Sequence, residues 1–491
     1  MKKVKEPHNT TIYQAMFAVF ALLLPVVYGL MLRPLVFEQT ALPLELVFLS
    51  ASILAMVQLS YLNFRWQDIQ YAVSDKISKA IPTLLLLFAI GLLVGSWIIS
   101  GTIPMLVVYG LKLIKPDYIF IYAFIVPIFF SLCTGTSWGS IATIGLVIIT
   151  VASVINADLA IVTGAIVGGA YFGDKLSPLS DTTNIAAIAV EIEVYDHIQS
   201  MFYSTLPAAI LAAMSFVILG FIYPPQIFSN EIEVVAQTIS AIESLFRFNI
   251  LLLLPPIVIF YGSFKRMAPL PVLIISTLIA CGLSLFIQDY SFDNIIQTLY
   301  KGFNINMAQV SNLNMLPDSI ANLFNRGGLY ALSEPIIITL LVFIYVGIIE
   351  QIQAMPTIIN RLFNKVEKAS TLITSSLVAS GLTNAMTSSQ YANSFIVGEA
   401  FSKKYDEFKV PRKVLSRSLE DTGTMLESLI PWSTTAVFVY ATLGVPVQEY
   451  WHWQLLSLIN ISLAFFFAYT GIACFRLSNK SKPAHMMTDN Q

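Results

Sequence analysis

Charge is what this sequence has least of. Only 11% of its 491 residues are Asp, Glu, Lys or Arg, where a soluble protein carries about 25%. With 56% apolar residues and a mean hydropathy of +0.74, the chain lacks the charge to cover a water-facing surface. Lipid must therefore be its solvent over much of its length. Cysteine is nearly as scarce. Cys133, Cys281 and Cys474 stand far apart in apolar surroundings with no CxxC spacing, which excludes a disulfide framework and a zinc site. Four histidines (His8, His197, His452, His485) are scattered towards termini and apparent loops. There is no GxxxxGK[ST], no HExxH and no Gly-x-Ser-x-Gly elbow, so neither ATP nor a standard hydrolytic apparatus drives the protein. The expectation is a membrane protein that is not an enzyme, with no cofactor and no nucleic-acid partner.

What is abundant is apolar sequence in lengths that span a bilayer, about 20 residues each. Such segments fall near 11–32, 42–62, 81–100, 118–133, 141–155, 157–173, 201–223, 248–262, 268–288, 335–352, 371–398, 430–445 and 453–475. Some are short or interrupted, so the expected count is 11 to 13. Residues 101–114 are apolar but too short to cross and read as re-entrant, and 289–334 reads as amphipathic helix and loop at the membrane surface. The fold class is all-α and polytopic, a single membrane domain over 1–491. The N-terminal apolar run has no small-x-small cleavage site after it and reads as an uncleaved first span. Basic connections ("MKKVK", 64–79, 265–266, 361–368, 402–417 and 476–482) contrast with the acidic 224–246. That asymmetry puts both termini in the cytoplasm.

Polar residues inside such a chain demand a reason. The stretch "GGAYFGDKLSPLSDTTN", 168–184, follows the apolar "ADLAIVTGAIVG". Gly173 and Pro178 interrupt the helix, and a break at membrane depth is tolerated only inside protein or beside a wet cavity. Around the freed carbonyls stand Asp174, Ser177, Ser180, Asp181, Thr182, Thr183 and Asn184, the oxygen ligands hard cations such as sodium prefer. The plain alternative is a surface loop whose Asp and Ser cap the next helix. "CTGTSWGS", 133–140, with Thr136 and Ser137, interrupts a second long apolar run; otherwise it is a turn between two spans. Residues 381–401 and 417–438 repeat the plan: Thr136 to Asp174 is 38 positions (174 − 136), and Thr383 to Asp421 is 38 (421 − 383). Paired interruptions in two halves are the sequence mark of a transporter site between repeats. The repeats are placed at about 42–190 and 268–445, with Asp421 and Glu427 as second-half site candidates. Glu420 either reaches the site or lies at the surface near Arg417. A carboxylate that holds a proton or a sodium ion, never both, is the simplest exchanger. Lys175 either neutralises the site or points to water, and Lys175 and Arg326 are candidates for gating or for recognising an anion.

The strings "TGTSWGS", "GGAYFGDKLSPLSDTTN", "LFNRGG", "LSRSLEDTGTMLESLIPW" and "ATLGVPVQEY" together resemble the NhaC-type sodium/proton antiporters, over about 120–475. The resemblance implies an inverted-repeat ion transporter that exchanges cytoplasmic sodium, with lithium as a candidate second ion, for external protons by alternating access. Some relatives exchange organic acids, as in malate/lactate antiport, and that is the alternative reading. By position the resemblance carries Asp174, Ser177, Ser180, Asp181, Thr182, Thr183 and Asn184 in the first half, with sodium at Asp174 and Asp181. In the second it carries Asn384, Glu420, Asp421, Thr422 and Thr435. The sequence departs from the family at "TSSQY", with Ser388 and Ser389, and at Glu427 and Ser433, which alters the ligand set of the second half. A bacterial inner membrane is the expected location; a homodimer is expected only from the habits of transporters.

Overall fold

The computed structural model describes residues 10–225, 231–265, 267–308, 321, 323–363 and 366–475. The basic ends "MKKVK" and "RLSNKSK", and much of the loop centred on 315, lie outside the described residues. Within them every regular element is helical and there is no strand. The chain runs through α1 (Ile12–Val26), α2 (Leu44–Tyr61), α3 (Trp66–Ile99), α4 (Thr102–Leu113), α5 (Ile119–Thr134), α6 (Ser137–Val154), α7 (Leu159–Leu176), α8 (Asp181–Ala189) and α9 (Val194–Ile222). It continues through α10 (Glu231–Leu245), α11 (Leu254–Phe264), α12 (Pro269–Phe286), α13 (Phe292–Lys301), α14 (Ser333–Glu350) and α15 (Ala354–Leu362). The last elements are α16 (Ala369–Thr387), α17 (Gln390–Glu407), α18 (Arg412–Ser418), α19 (Thr434–Leu443) and α20 (Leu455–Thr470).

Among the described residues, nine helices are long and apolar enough to cross a membrane, or up to 11 if two bent pairs each count as a span. This meets the lower end of the expected 11 to 13. The difference comes from breaks. The expected span 371–398 is two helices, α16 and α17, separated at Ser388. Residues 248–262 belong to a pair bent by 101°, and 430–445 contain only the ten-residue α19. Residues 101–114 do form a helix too short to cross, α4.

Burial sorts the helices by solvent. On α9, Phe202, Leu206, Ile210, Met214, Ile218 and Ile222 are exposed; their four-residue spacing makes one apolar stripe, as lipid contact requires. By contrast, 89% of the α7 span is buried. Its packing on α5 depends on absent side chains: a Cβ on Gly169 would lie 2.0 Å from the Phe124 carbonyl oxygen, and one on Gly173 would lie 2.5 Å from the Leu132 nitrogen. Small residues let backbones approach where lipid offers no hydrophobic drive.

One local plan occurs twice. α5 ends at Gly135 (φ 68), Thr136 (φ −145, ψ 124) caps the next helix, and its side chain accepts from the Gly139 N–H. α16 ends at Ser388 (φ 48), Ser389 (φ −146, ψ 112) caps the next helix, and its side chain accepts from the Ala392 N–H. The offset is 253 (388 − 135 and 389 − 136). The same offset relates the starts of α7 and α18 (412 − 159) and the caps of α8 and α19, Ser180 and Ser433 (433 − 180). The sequence spacing that paired Asp174 with Asp421 used an offset of 247 and is out of register by six. At 253, Asp174 corresponds to Glu427 (427 − 174) and Thr136 to Ser389.

Candidate functional site

The first break is held by the side chains that made it conspicuous. Gly135 is required twice: its φ is positive, and a Cβ there would lie 2.5 Å from Leu179 Cβ. Beyond α7, the Ser177 hydroxyl donates to the Leu132 carbonyl at 3.2 Å. Thr183 donates to the carbonyls of Asp174 (3.2 Å) and Lys175 (3.3 Å). Asn184 donates to those of Pro178 (3.0 Å) and Ser180 (2.6 Å), and the Ser180 and Thr182 hydroxyls share a bond at 3.1 Å. These groups satisfy carbonyls that the break exposes. The Asp174 carboxylate is buried and accepts from the Ser137 hydroxyl at 2.8 Å. The Ser180 hydroxyl and the Ser137 backbone N–H also face it. Among the described residues no cation pairs with it. Asp181 does not join it in the interior. It is exposed in the first turn of α8, where the helix dipole favours an acid, so Asp174 and Asp181 do not form one buried sodium cage.

The second break is lined by amides. After α18 the chain makes a π-helical turn, Leu419–Thr424, a form frequent at functional sites. The Leu419 carbonyl accepts from the Ser380 hydroxyl (3.1 Å) and the amides of Gln390 (3.3 Å) and Asn393 (3.4 Å). Asn384 and Asn393 both donate to Gln390 Oε1 at 3.1 Å. Thr422 donates to the carbonyls of Leu377 (2.8 Å) and Ser418 (3.0 Å), a structural role. Glu427 is buried, has no cationic partner among the described residues, accepts a long bond of 3.5 Å from Thr434, and is also faced by the Thr435 hydroxyl. Ser433 donates to the Glu427 carbonyl. The Thr435 hydroxyl accepts from Trp138 Nε1 at 3.2 Å, and Trp138 stacks on Phe438 at 4.3 Å. The fully buried Tyr171, one turn before Asp174, faces Thr435, Glu427 and Asp174. Tyr171 thus faces Thr435 and lies near both break carboxylates.

Beside the breaks lies a dry ion network. Lys175, with no exposure, donates to Asp421 Oδ1 at 3.2 Å; Ser204 (3.0 Å) and Asn460 (2.9 Å) donate to the same oxygen. Arg417 Nε lies 3.7 Å from Asp421 Oδ2. Asp421, expected as an ion ligand, is therefore already engaged, and Lys175 is neither in water nor free for an anion. Glu420 is not at the surface: it is fully buried. Arg326 belongs instead to a glycine turn whose Gly328 N–H donates to the Gly91 carbonyl of α3. Sequence reasoning missed Arg417, Ser204, Asn460, Tyr171 and Trp138. Arg417 had a signal in its i,i+4 spacing to Asp421. Ser204 and Asn460 are single polar residues in apolar helices and had none. Among the described residues no three His, Cys, Asp or Glu side chains converge as a metal centre would. A passing cation would meet single carboxylates with hydroxyls and carbonyls.

The family whose sequence model matches the chain is the Na+/H+ antiporter family, over residues 169–472, from the α5-facing glycine of α7 to just past the end of α20. An uncharacterized Na+/H+ antiporter of Haemophilus influenzae is 35% identical over 92% of this chain and 96% of its own. A malate-2H+/Na+-lactate antiporter of Bacillus subtilis is 29% identical over 91% and 93%. The Na+/H+ antiporter NhaC of Alkalihalophilus pseudofirmus is 30% identical over 84% and 87%. The match covers the helices that carry Asp174, Lys175, Asp421 and Glu427, and the chain belongs to the Na+/H+ antiporter family.

Proposed function

We propose that this multi-pass membrane protein exchanges sodium for protons by alternating access, with Asp174 and Glu427 as the exchanging carboxylates of two related halves. The observation that carries the reading is that both acids are buried at helix breaks with no cationic partner among the described residues, in a chain of this family. A carboxylate withdrawn from water and unpaired is stable in two forms, protonated or bound to a cation. Either occupant excludes the other, and that exclusion is the coupling. Hydroxyls of Ser137, Ser180, Thr434 and Thr435 supply further oxygens. The constant offset of 253 supports repeats running from α3 through α9 and from α14 through α20, not the 42–190 and 268–445 of the sequence expectation. Even the starts of α4 and α15 follow it closely, after Gly101 (φ 85) and Gln353 (φ 47). In this reading the halves are inverted, the termini are cytoplasmic, and inward protons drive sodium out of a bacterial cell.

The organic-acid alternative has a relative in its favour, but of its two anion-recognising candidates Lys175 is paired with Asp421 and Arg326 stands in the glycine turn held against α3. The test is dequenching of a pH dye in inverted vesicles on adding sodium, lithium, malate or lactate. Sodium alone should dequench, and Asp174→Asn should abolish the response. A response that requires a carboxylate would establish the alternative, and a sodium response that survives both Asp174→Asn and Glu427→Gln would remove these acids from the site.

A further inference from the structure

Four acids lie in the buried region where the halves meet: Asp174, Glu420, Asp421 and Glu427. The same region holds two cationic side chains, Lys175 and Arg417, with the buried His197 beside them, so acids exceed cations by two (4 − 2). Hydrogen bonding is distributed unevenly among them. Asp421 takes Lys175, Ser204 and Asn460 on one oxygen and faces Arg417 with the other. Glu420, its immediate neighbour and equally enclosed, has neither Oε1 nor Oε2 in a hydrogen bond of good geometry, and the hydroxyl that faces it is that of Thr424. An ionised carboxylate left dry without donors is among the costliest groups a protein can bury. The position is nevertheless a built one. Glu420 stands in the π-helical turn, and its field includes Lys175 and Asp174 of α7 and Asp421 and Glu427 of its own segment. The helices α16 and α20, also packed on the turn, contain no charged residue; α8 brings only the exposed Asp181, and the charged residues of α17 begin at Glu399.

We infer that Glu420 is a third exchanging carboxylate, holding a proton in one state and a sodium ion in the other, with the Thr424 hydroxyl as a neighbouring oxygen ligand. This rests on the antiport reading and extends its site from the break acids into the π turn. On exchange the Glu420 O–H bond breaks, the proton leaves to water in the open cavity, and sodium takes its place, so the net charge beside Lys175 and Arg417 is unchanged. Asp421 is the less available of the two, because one oxygen already takes three donors and the other faces the Arg417 guanidinium. In the π turn the neighbouring polar side chains Ser380, Gln390 and Asn393 donate to the Leu419 carbonyl and not to Glu420.

The rival is that Glu420 is a fixed counter-ion of Lys175. Two measurements on the full-length protein separate them. Purified protein is treated with a hydrophobic carbodiimide, which modifies protonated carboxyls in apolar surroundings, in choline or sodium buffer, and labelled peptides are identified by mass spectrometry. Label on Glu420 in choline, suppressed by sodium, is expected; no label, or label indifferent to sodium, would overturn the inference. In vesicles, Glu420→Gln should raise the sodium concentration for half-maximal dequenching by about tenfold, equivalent to about 1.4 kcal/mol, or abolish it, while Glu420→Asp retains a response. A Glu420→Gln protein with wild-type sodium dependence would also overturn it. Wild-type vesicles that ignore sodium would sink the antiport reading itself, and that failure is distinct, because labelling does not require transport.

Discussion

The two helices that lead into the breaks share a backbone plan and have opposite contents. At matched positions α7 carries Gly164, Val167 and Gly168, where the second half carries Arg417, Glu420 and Asp421 (each 253 apart). α7 is gripped backbone to backbone: a Cβ on Gly164 would lie 2.4 Å from the Trp453 carbonyl oxygen, and one on Gly168 would lie 3.3 Å from Leu456 Cβ. The second helix is held by side chains, with charge and a π turn where its counterpart has glycine and a regular helix. Duplicated architecture thus separates two tasks. One copy supplies a rigid wall and a single acid, Asp174. The other concentrates buried ionisable groups, Arg417, Glu420, Asp421 and Glu427.

The largest expected effect comes from unbalancing the charged copy. Asp421→Asn removes the carboxylate that pairs directly with Lys175 and faces Arg417, and breaking such a pair costs about 3–5 kcal/mol. Thermal melting in detergent should show it. Adding Lys175→Met to Asp421→Asn should recover part of the loss, because the pair is then removed whole. Equal losses in the single and double variants would mean that the network does not act as a unit. Next is the rigid copy. Gly169→Ala would put a methyl 2.0 Å from the Phe124 carbonyl oxygen, forcing α5 and α7 apart at about 1–3 kcal/mol, the usual cost of overpacking. Gly282→Ala, where a Cβ meets nothing within 4 Å, is the matched control and should melt with the wild type.

These contrasts also mark what the sequence could reveal. The first break was legible at Gly173, Asp174 and Pro178, since an apolar run that meets glycine, an acid and then proline cannot remain one helix. The second break was legible as a polar region but not as a boundary: Ser388 adopts φ 48 without being glycine, so 371–398 passed for one span. The repeat was visible as a plan and misread in register. Acidic residues were used as its markers, and in the second half the conspicuous Glu420-Asp421 pair sits where the first half has Val167 and Gly168. Caps were the better markers, because Thr136 and Ser389 perform the same backbone task. Which acid is paired and which is bare depends on Ser204 and Asn460, 217 and 39 residues from Asp421 in sequence, and no local pattern encodes that.

A smaller effect should appear where the halves touch. Thr435 accepts from Trp138 of the first half and stands near Glu427 of the second. Thr435→Val leaves Trp138 Nε1 without its partner and costs about 1–2 kcal/mol. It should also weaken the sodium response, since it removes an oxygen that faces Glu427; unchanged sodium dependence would exclude the Thr435 oxygen from the ligand set.

The smallest effect is expected at the starts of the two helices, where the copies again differ. Asp158 caps α7 through the N–H groups of Ala160 (2.9 Å) and Ile161 (3.1 Å). The matched residue is Pro411, which makes no side-chain cap bond; there Arg412 ties the helix start to Asp406 and Glu191, both at 2.7 Å. First Asp406 and then Glu191 hold the Arg412 guanidinium charged well above its usual range. The partners are 52% and 81% exposed, so solvent and salt screen most of that attraction. Arg412→Ala should therefore cost only about 0.5 kcal/mol, and less as salt rises. Asp158→Ala, which removes a cap bonded to backbone, should cost about 1 kcal/mol and be far less sensitive to salt. A salt-independent loss at Arg412 larger than that at Asp158 would mean that the charged copy is fixed at its start as firmly as the rigid one, and the division of tasks between the halves would then fail.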